Sequence, residues 1–329
     1  MQICRIDLRV PGWGNVVYGL ALGCALVVAG CSSDSPQEDV PPPPADALRV
    51  ALGPYNLAPG QEITVCVTGY LPNVLPIDVV RIETRQTYSH HVIFYRESDG
   101  VADSPAPSAC PPLDLLSTSR APLFIGETPT ASMDLPSGVA YRLGSKAPYR
   151  IEGHFLNASP SPQQALAEIF LTPAPSGSTM QEADMVFLSA SSQLNKNYDG
   201  QRGGLPPMKE TTIDPGFWPL PTDMLGSKFF ALTSHQHRLG THFSISKSPD
   251  AGAVGQLLYE NTDWEHPLFK LYPSDAPLTF APGEGLRWVC TFRNTTTSYV
   301  KFGQSAEKDE MCILWGYYYP SQGFRVEFL

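Results

Sequence analysis

The sequence predicts an all-β protein of the antiparallel β-sandwich class. Thirty-three prolines among 329 residues, with only 16% of residues charged, oppose long helices and favour short strands joined by turns. Apolar, β-branched and aromatic runs recur between those turns. A single stretch, 162–168, offers a brief helical pattern.

In chain order, residues 1–30 read as a signal peptide. Arg5 and Arg9 form a short positive region, an apolar run from Val16 to Val28 follows, and Val27-Val28-Ala29-Gly30-Cys31 closes it. The run is short for a membrane span and ends in small residues, as in a cleaved leader. Cys31 directly after Ala-Gly matches a bacterial lipobox, with cleavage before Cys31 and lipid on its thiol; a plain secretory signal is the simpler alternative. Lipid at that position anchors a protein to a membrane of the cell envelope without spanning it. Residues 31–48 are polar, acidic and carry Pro41 to Pro44, a composition that buries no core and reads as a semi-rigid tether.

Strands are expected at 62–67, 79–83, 91–95 and 149–156, and again at 229–233, 242–245, 287–293 and 313–319. Turn residues gather at Pro173-Ala174-Pro175-Ser176-Gly177, after an apolar run at 167–171 and before another at 185–188. A boundary there divides the chain into 49–175 and 176–329, each long enough for its own core.

Charge excludes one class of partner. The chain holds 22 basic and 32 acidic residues; removing Arg5, Arg9 and Asp7 with the signal leaves 20 against 31, a net of −11. With no cluster of Lys or Arg, nucleic acid is not an expected partner. Cysteine use agrees with export. Of seven, Cys4 and Cys24 leave with the signal and Cys31 takes lipid, which leaves Cys66, Cys110, Cys290 and Cys312. An even number in an oxidising compartment points to two disulfides, and three connectivities are open.

Three short blocks concentrate soft or borderline metal ligands: His90-His91 in SHHVIFY, His235-Gln236-His237 in TSHQHRLG, and Met311 beside Cys312 in DEMCILWGYYYP. His154, in IEGHFLN, supplies a third imidazole for the first block. Imidazole suits several metals, but a thioether joined to two imidazoles shifts the choice toward copper, Cu(I) above all. A three-ligand site also leaves a position open for oxygen or substrate. His235 and His237 project from one face of a strand. Adjacent His90 and His91 point oppositely in a regular strand, so sharing an ion requires a bulge or a strand start, for which Ser89 is suited. Without the other two blocks, an HH pair would read as one buried and one surface histidine. His242 falls on the opposite face from His237, and His266 sits in the loop-like DWEHPLF; neither is expected to bind metal. Cys312 as a copper thiolate competes with Cys312 in a disulfide. Asn157-Ala158-Ser159 and Asn294-Thr295-Thr296 match glycosylation sequons, which mean little in a bacterial-type lipoprotein.

These blocks resemble the copper type II, ascorbate-dependent monooxygenases, the family of peptidylglycine alpha-hydroxylating and dopamine beta-monooxygenases. Its HH pair with a later His holds one copper, and its HxH pair with a Met followed by Cys holds a second. The DEMC string and the following YYP are the most specific matches, and the resemblance extends over about residues 50–320. It implies two consecutive antiparallel, jelly-roll-like β-sandwich domains and disulfides Cys66–Cys110 and Cys290–Cys312. Each such closure contributes about 3–4 kcal/mol in the chain-entropy model. It further implies two coppers per chain. One, on His90, His91 and His154, stores and passes an electron; the other, on His235, His237 and Met311, is the catalytic site for O2 and for hydroxylation of a substrate C–H bond. Two electrons come from an external donor, which in the family is ascorbate.

Substrate recognition departs from the peptide-amidating members. Those hold a substrate carboxylate with an Arg two residues before the HxH block and with an Asn and a Tyr one and three residues beyond the Met-Cys pair. Here the positions are Thr233, Ile313 and Trp315. Thr cannot reproduce a bidentate guanidinium clamp. A small molecule or another peptide is therefore expected, with Ile313 and Trp315 as apolar pocket candidates. Two other classes compete with the enzyme: a non-catalytic copper-binding or buffering envelope lipoprotein, which needs no substrate cavity, and an adhesion or scaffold module with incidental histidines.

Overall fold

Period-two alternation of buried positions, cut by Gly and Pro turns, builds strands along the whole of the computed structural model, which describes residues 42–113, 120–178 and 180–329. The expected leader, the lipidated Cys31 and the tether through residue 41 lie outside the described residues. Among the described residues the only helical segments are two short 3-10 turns, Ser191–Asn195 and Thr222–Met224. No described helix is long and apolar enough to cross a membrane.

The first half contains β1 (Leu48–Leu57), β2 (Glu62–Tyr70), β3 (Ile77–Thr87), β4 (Ser89–Arg96), β5 (Ser104–Ala109), β6 (Ala121–Gly126), β7 (Thr130–Asp134), β8 (Val139–Leu143), β9 (Pro148–Leu156), β10 (Gln163–Pro173) and β11 (Gln181–Glu182). The second contains β12 (Asp184–Ser189), β13 (Lys209–Ile213), β14 (Phe217–Pro219), β15 (Lys228–His235), β16 (Gly240–Ser248), β17 (Gln256–Asn261), β18 (Lys270–Leu271), β19 (Gly285–Asn294), β20 (Ile313–Tyr319) and β21 (Arg325–Phe328). Four sheets result. They run β1-β10-β3-β8-β11 with β7 on β3, β5-β2-β9-β4-β6, β18-β15-β20-β12-β21, and β13-β19-β16-β17 with β14 on β19. Pairing is antiparallel except at β8/β11 and β12/β21. Strands of the two halves belong to different sheets, and the change of partner falls between Glu182 and Asp184, shortly after the Pro-rich turn at 173–177.

Each of the eight expected strands lies inside an observed one. The helical expectation for 162–168 is corrected: that stretch begins β10. Ala165, Ala167, Ile169 and Leu171 are buried on one face of it, so period-two burial overrides the helix-forming residues between them.

The sheet β18-β15-β20-β12-β21 is buried on both faces. Along β20, Ile313, Trp315, Tyr317 and Tyr319 join the core shared with the first half, while Leu314 and Tyr318 join the core of the second. Along β12, Met185 and Phe187 go to the first and Val186 and Leu188 to the second. A strand apolar at every position is what two cores require.

Both disulfides are formed. Cys66–Cys110 ties β2 to the end of β5, and Cys290–Cys312 ties β19 to the residue before β20, stapling the two sheets of the second half. Each sequon turns on a buried asparagine. Asn157 follows β9 and donates its Nδ2 to the carbonyls of Ala58 and Ser161, while its Oδ1 accepts from the amide and hydroxyl of Ser159. Asn294 ends β19 and does the same with the carbonyls of Leu205 and Ser298 and with Thr296. Both asparagines are at most 1% exposed.

Candidate metal centre

The backbone brings His90 and His91 to one place as the bulge argument requires. The β4–β9 register runs from Ser89↔Phe155 directly to His91↔His154, so His90 is the extra residue of a β-bulge at the start of β4. His154 lies opposite His91 on β9. From the second half, β15 ends at His235, which pairs with Ile313, and the chain turns through Gln236 to His237. Met311, buried at 1% exposure, stands two residues before Ile313.

Five imidazoles converge there. His90 lies 5.2 Å from His91, 5.5 Å from His154, 5.0 Å from His235 and 5.3 Å from His237 between ring centroids. Further spacings are 5.2 Å for His91–His154, 5.1 Å for His91–His235 and 5.3 Å for His235–His237. The sequence assigns these residues to two ligand sets in two halves of the chain; in the structure the rings of both sets meet. Nitrogens of His90, His91 and His235 lie within 4.8 Å of one another, a spacing at which they could hold an ion.

The donor set fits a borderline metal such as copper. All five rings are buried, and His90 Nε2, both nitrogens of His91, His235 Nε2 and His237 Nε2 have no hydrogen-bond partner. Unpartnered buried nitrogens are costly unless something binds them. Burial, followed by the neighbouring imidazoles, pushes His90, His91 and His237 well below the usual histidine range and His235 down to about 3. Neutral imidazole is the metal-binding form.

Carboxylates surround the rings. Glu62 meets His154 Nε2 at 3.0 Å and also accepts from the Ser305 hydroxyl and the Ala306 amide of the second half. Burial opposes its charge, but these bonds prevail and take its carboxyl down to about 2. Glu127, in the turn after β6, meets His235 Nδ1; burial holds its carboxyl well above the usual range. Glu310, pushed up to about 8 by burial, accepts from the amides of His237 and Leu239 and so shapes the turn after β15. His237 Nδ1 lies 3.1 Å from the Asp309 carbonyl, leaving Nε2 free.

A cavity of about 250 Å³ opens beside His90. Its lining includes Tyr88, Glu127, Trp264, Glu265 and His266, with no Lys or Arg. The Trp264 ring lies 5.7 Å from that of His90.

The remaining sequence candidates fall elsewhere. Thr233 is buried opposite Trp315, its hydroxyl 3.4 Å from the Leu268 carbonyl. Ile313 and Trp315 pack in the shared core, the latter 4.7 Å from Phe187. None of the three lines the cavity; for Ile313 and Trp315 the reason is that the odd positions of β20 face the first half's core. Cys312 is in its disulfide rather than free as a thiolate. His242 is partly exposed and bonds Glu260. His266 is half exposed and lines the cavity rim. Glu62, Glu127, Glu310 and Trp264 are additions that sequence reasoning missed, although Glu310 sits in DEMC and Trp264 beside His266 in DWEHPLF.

Comparison with known proteins covers part of the chain. A curated relative, tyramine beta-hydroxylase of Caenorhabditis briggsae, is 30% identical over 104 residues, which is 31% of this chain and 17% of that protein. The matched stretch is thus less than a fifth of the relative's length. The crystal structure of the infectious bursal disease virus VP2 subviral particle aligns with 83% of this chain and 71% of its own, at 9% identity and a TM-score of 0.22, a likeness that carries no argument. Residues 213–327, which carry His235, His237 and Met311, match the family model of the copper type II ascorbate-dependent monooxygenase, C-terminal domain.

Proposed function

We propose that this chain is a copper-dependent monooxygenase that hydroxylates a substrate C–H bond with O2 and electrons from an external donor. The observation that carries the reading is the cluster of five buried imidazoles, four of them with unpartnered nitrogens, opening on a cavity. The similarity of residues 213–327 to copper monooxygenases supports it. A copper-buffering protein needs the ligands but not the cavity, so the cavity favours the enzyme.

In this reading His90, His91 and His154 hold one copper, and His235, His237 and Met311 hold the second. Bound copper supplies the one-electron redox chemistry and O2 reduction that side chains lack. The protein keeps the imidazoles neutral by burial, and the cavity beside His90 admits substrate as far as Glu127, which touches His235 of the oxygen-reactive set. The balance is R–H plus O2, two electrons and two protons, giving R–OH and water. The cavity offers Glu265 and His266 but no Lys or Arg, and Thr233 supplies no guanidinium. We therefore infer a neutral or cationic small substrate, with glycine-extended peptides and other carboxylates turned over poorly. The lipobox-like sequence at Cys31 supports a location on a membrane of the cell envelope.

Copper analysis with oxygen uptake tests the proposal, using copper-loaded protein, a reductant and a panel of amines, neutral aromatics and glycine-extended peptides. Two coppers per chain and hydroxylated product are expected. Met311→Ile removes the thioether at similar size, and should weaken Cu(I) binding and abolish turnover. Tight copper binding without any product would favour the buffering protein; wild-type protein without copper would sink both.

A further inference from the structure

Glu127 is the carboxylate whose placement the metal ligands alone do not explain. It belongs to the first half, yet its partner is Nδ1 of His235 in the second, 108 residues away in sequence. Both side chains are at most 3% exposed.

The turn that presents Glu127 is braced on both sides. The buried side chain of Gln86 donates to the carbonyl of Gly126 at 3.0 Å and to that of Thr128 at 2.9 Å, and its backbone amide donates to the Pro129 carbonyl at 2.8 Å. Gly126 itself is pressed against β3: a Cβ there would meet Thr84 Oγ1 at 2.2 Å. A larger residue would push the turn, and Glu127 with it, away from His235. His235 Nε2 has no partner, whereas Nδ1 is taken by Glu127.

We propose that Glu127 is a positioning residue for His235. With copper on His235, whose charge offsets the burial that raises the Glu127 carboxyl in the metal-free fold, the carboxylate accepts from Nδ1–H across the boundary between the halves, fixes the tautomer and aims Nε2 into the cluster. A carboxylate on the far nitrogen of a metal-binding histidine orients the ring and raises its basicity, and losing such a partner weakens metal binding by about 10- to 100-fold. The inference rests on the copper reading, but not on the reaction.

The test compares wild type, Glu127→Gln and Glu127→Leu as copper-loaded full-length proteins, with thermal melts of the metal-free forms as the folding control. In the Cu(I) protein, which is diamagnetic, ¹⁵N spectra should show His235 protonated at Nδ1 and metal-bound at Nε2. Competition with a Cu(I) chelator should show Glu127→Leu binding one copper about 10- to 100-fold more weakly. Glu127→Gln, whose amide oxygen still accepts, should stay within a few-fold, with its Nδ1–H resonance shifted because the acceptor is neutral. Metal on Nδ1 in wild type, an unmoved Nδ1–H resonance in Glu127→Gln, or undiminished affinity in a folded Glu127→Leu would overturn it. Wild type that binds no copper would overturn this and the copper reading together; wild type that binds copper but hydroxylates nothing would overturn the monooxygenase alone.

Discussion

Protonation of single residues sets how the metal-free protein responds to pH. In the unfolded chain the cluster histidines take up protons near 6.5, whereas folded His235 does so only near 3. Between those values the unfolded state binds more protons, so the histidine contribution is intact above 6.5 and is lost as pH falls toward 3. Glu62, held down at about 2 in the fold, adds a loss in the same direction below 4.5. Glu310 acts oppositely. Its carboxyl ionises near 8 in the fold against 4.5 unfolded, so stability is present below 4.5 and is lost as pH rises through 8. Each group contributes a slope of up to about 1.4 kcal/mol per pH unit within its window. Between 4.5 and 6.5 the four depressed histidines outweigh the raised Glu310 and Glu127, so chelator-treated protein should be most stable near pH 6.5. Thermal midpoints measured from about pH 3 to pH 8 check this. A midpoint still climbing at the alkaline end would contradict it.

At the scale of elements, the fold was legible where pattern and burial agree. The run at 313–319 appears unchanged as β20, because apolar residues at every position leave no other choice. The HH pair called for a bulge or a strand start if the two were to share an ion, and β4 has a bulge near its start. Segments such as β6, Ala121–Gly126, were missed, and Glu127 with them; a lone Glu before Thr-Pro carries no periodic signal. Nor could the spacing of 64 residues between His90 and His154, or 81 between His154 and His235, reveal that all five rings meet, since chain separation does not set distance through a core. The sequons were visible but their use was not. Asn157 and Asn294 are the same corner built twice, after the strand bearing His154 and after the strand bearing Cys290. Asn157→Ala or Asn294→Ala should each lower stability by about 1–3 kcal/mol, through buried carbonyls left without donors. Denaturant melts would show it. Expressed in a host that glycosylates, neither corner should carry glycan, which mass spectrometry reads directly.

Across the whole molecule, the sheet containing β12, β15 and β20 serves two cores at once, so neither half keeps its packing when the other opens. Unfolding of residues 42–329 should be a single cooperative calorimetric transition, and Trp315→Ala, costing about 3–5 kcal/mol as a large buried truncation, should move all of it. Two separated transitions would argue that the shared core contributes little. That sheet also has an unusual problem of alignment. Most strands know their register because a slip of one residue would turn apolar side chains to water. In β20 both sides are apolar, so a slip would exchange one buried face for the other, and hydrophobicity alone offers little objection. Two things remain to object: shape, since a Cβ on Gly316 would meet Val186 Cγ2 at 2.9 Å, and the covalent tie of Cys312 to Cys290. The disulfide is then less a brace than a datum mark, set one residue from Met311, from which the strand's alignment is measured. Reducing it should blur where the thioether stands, and the metal centre should suffer before the fold does.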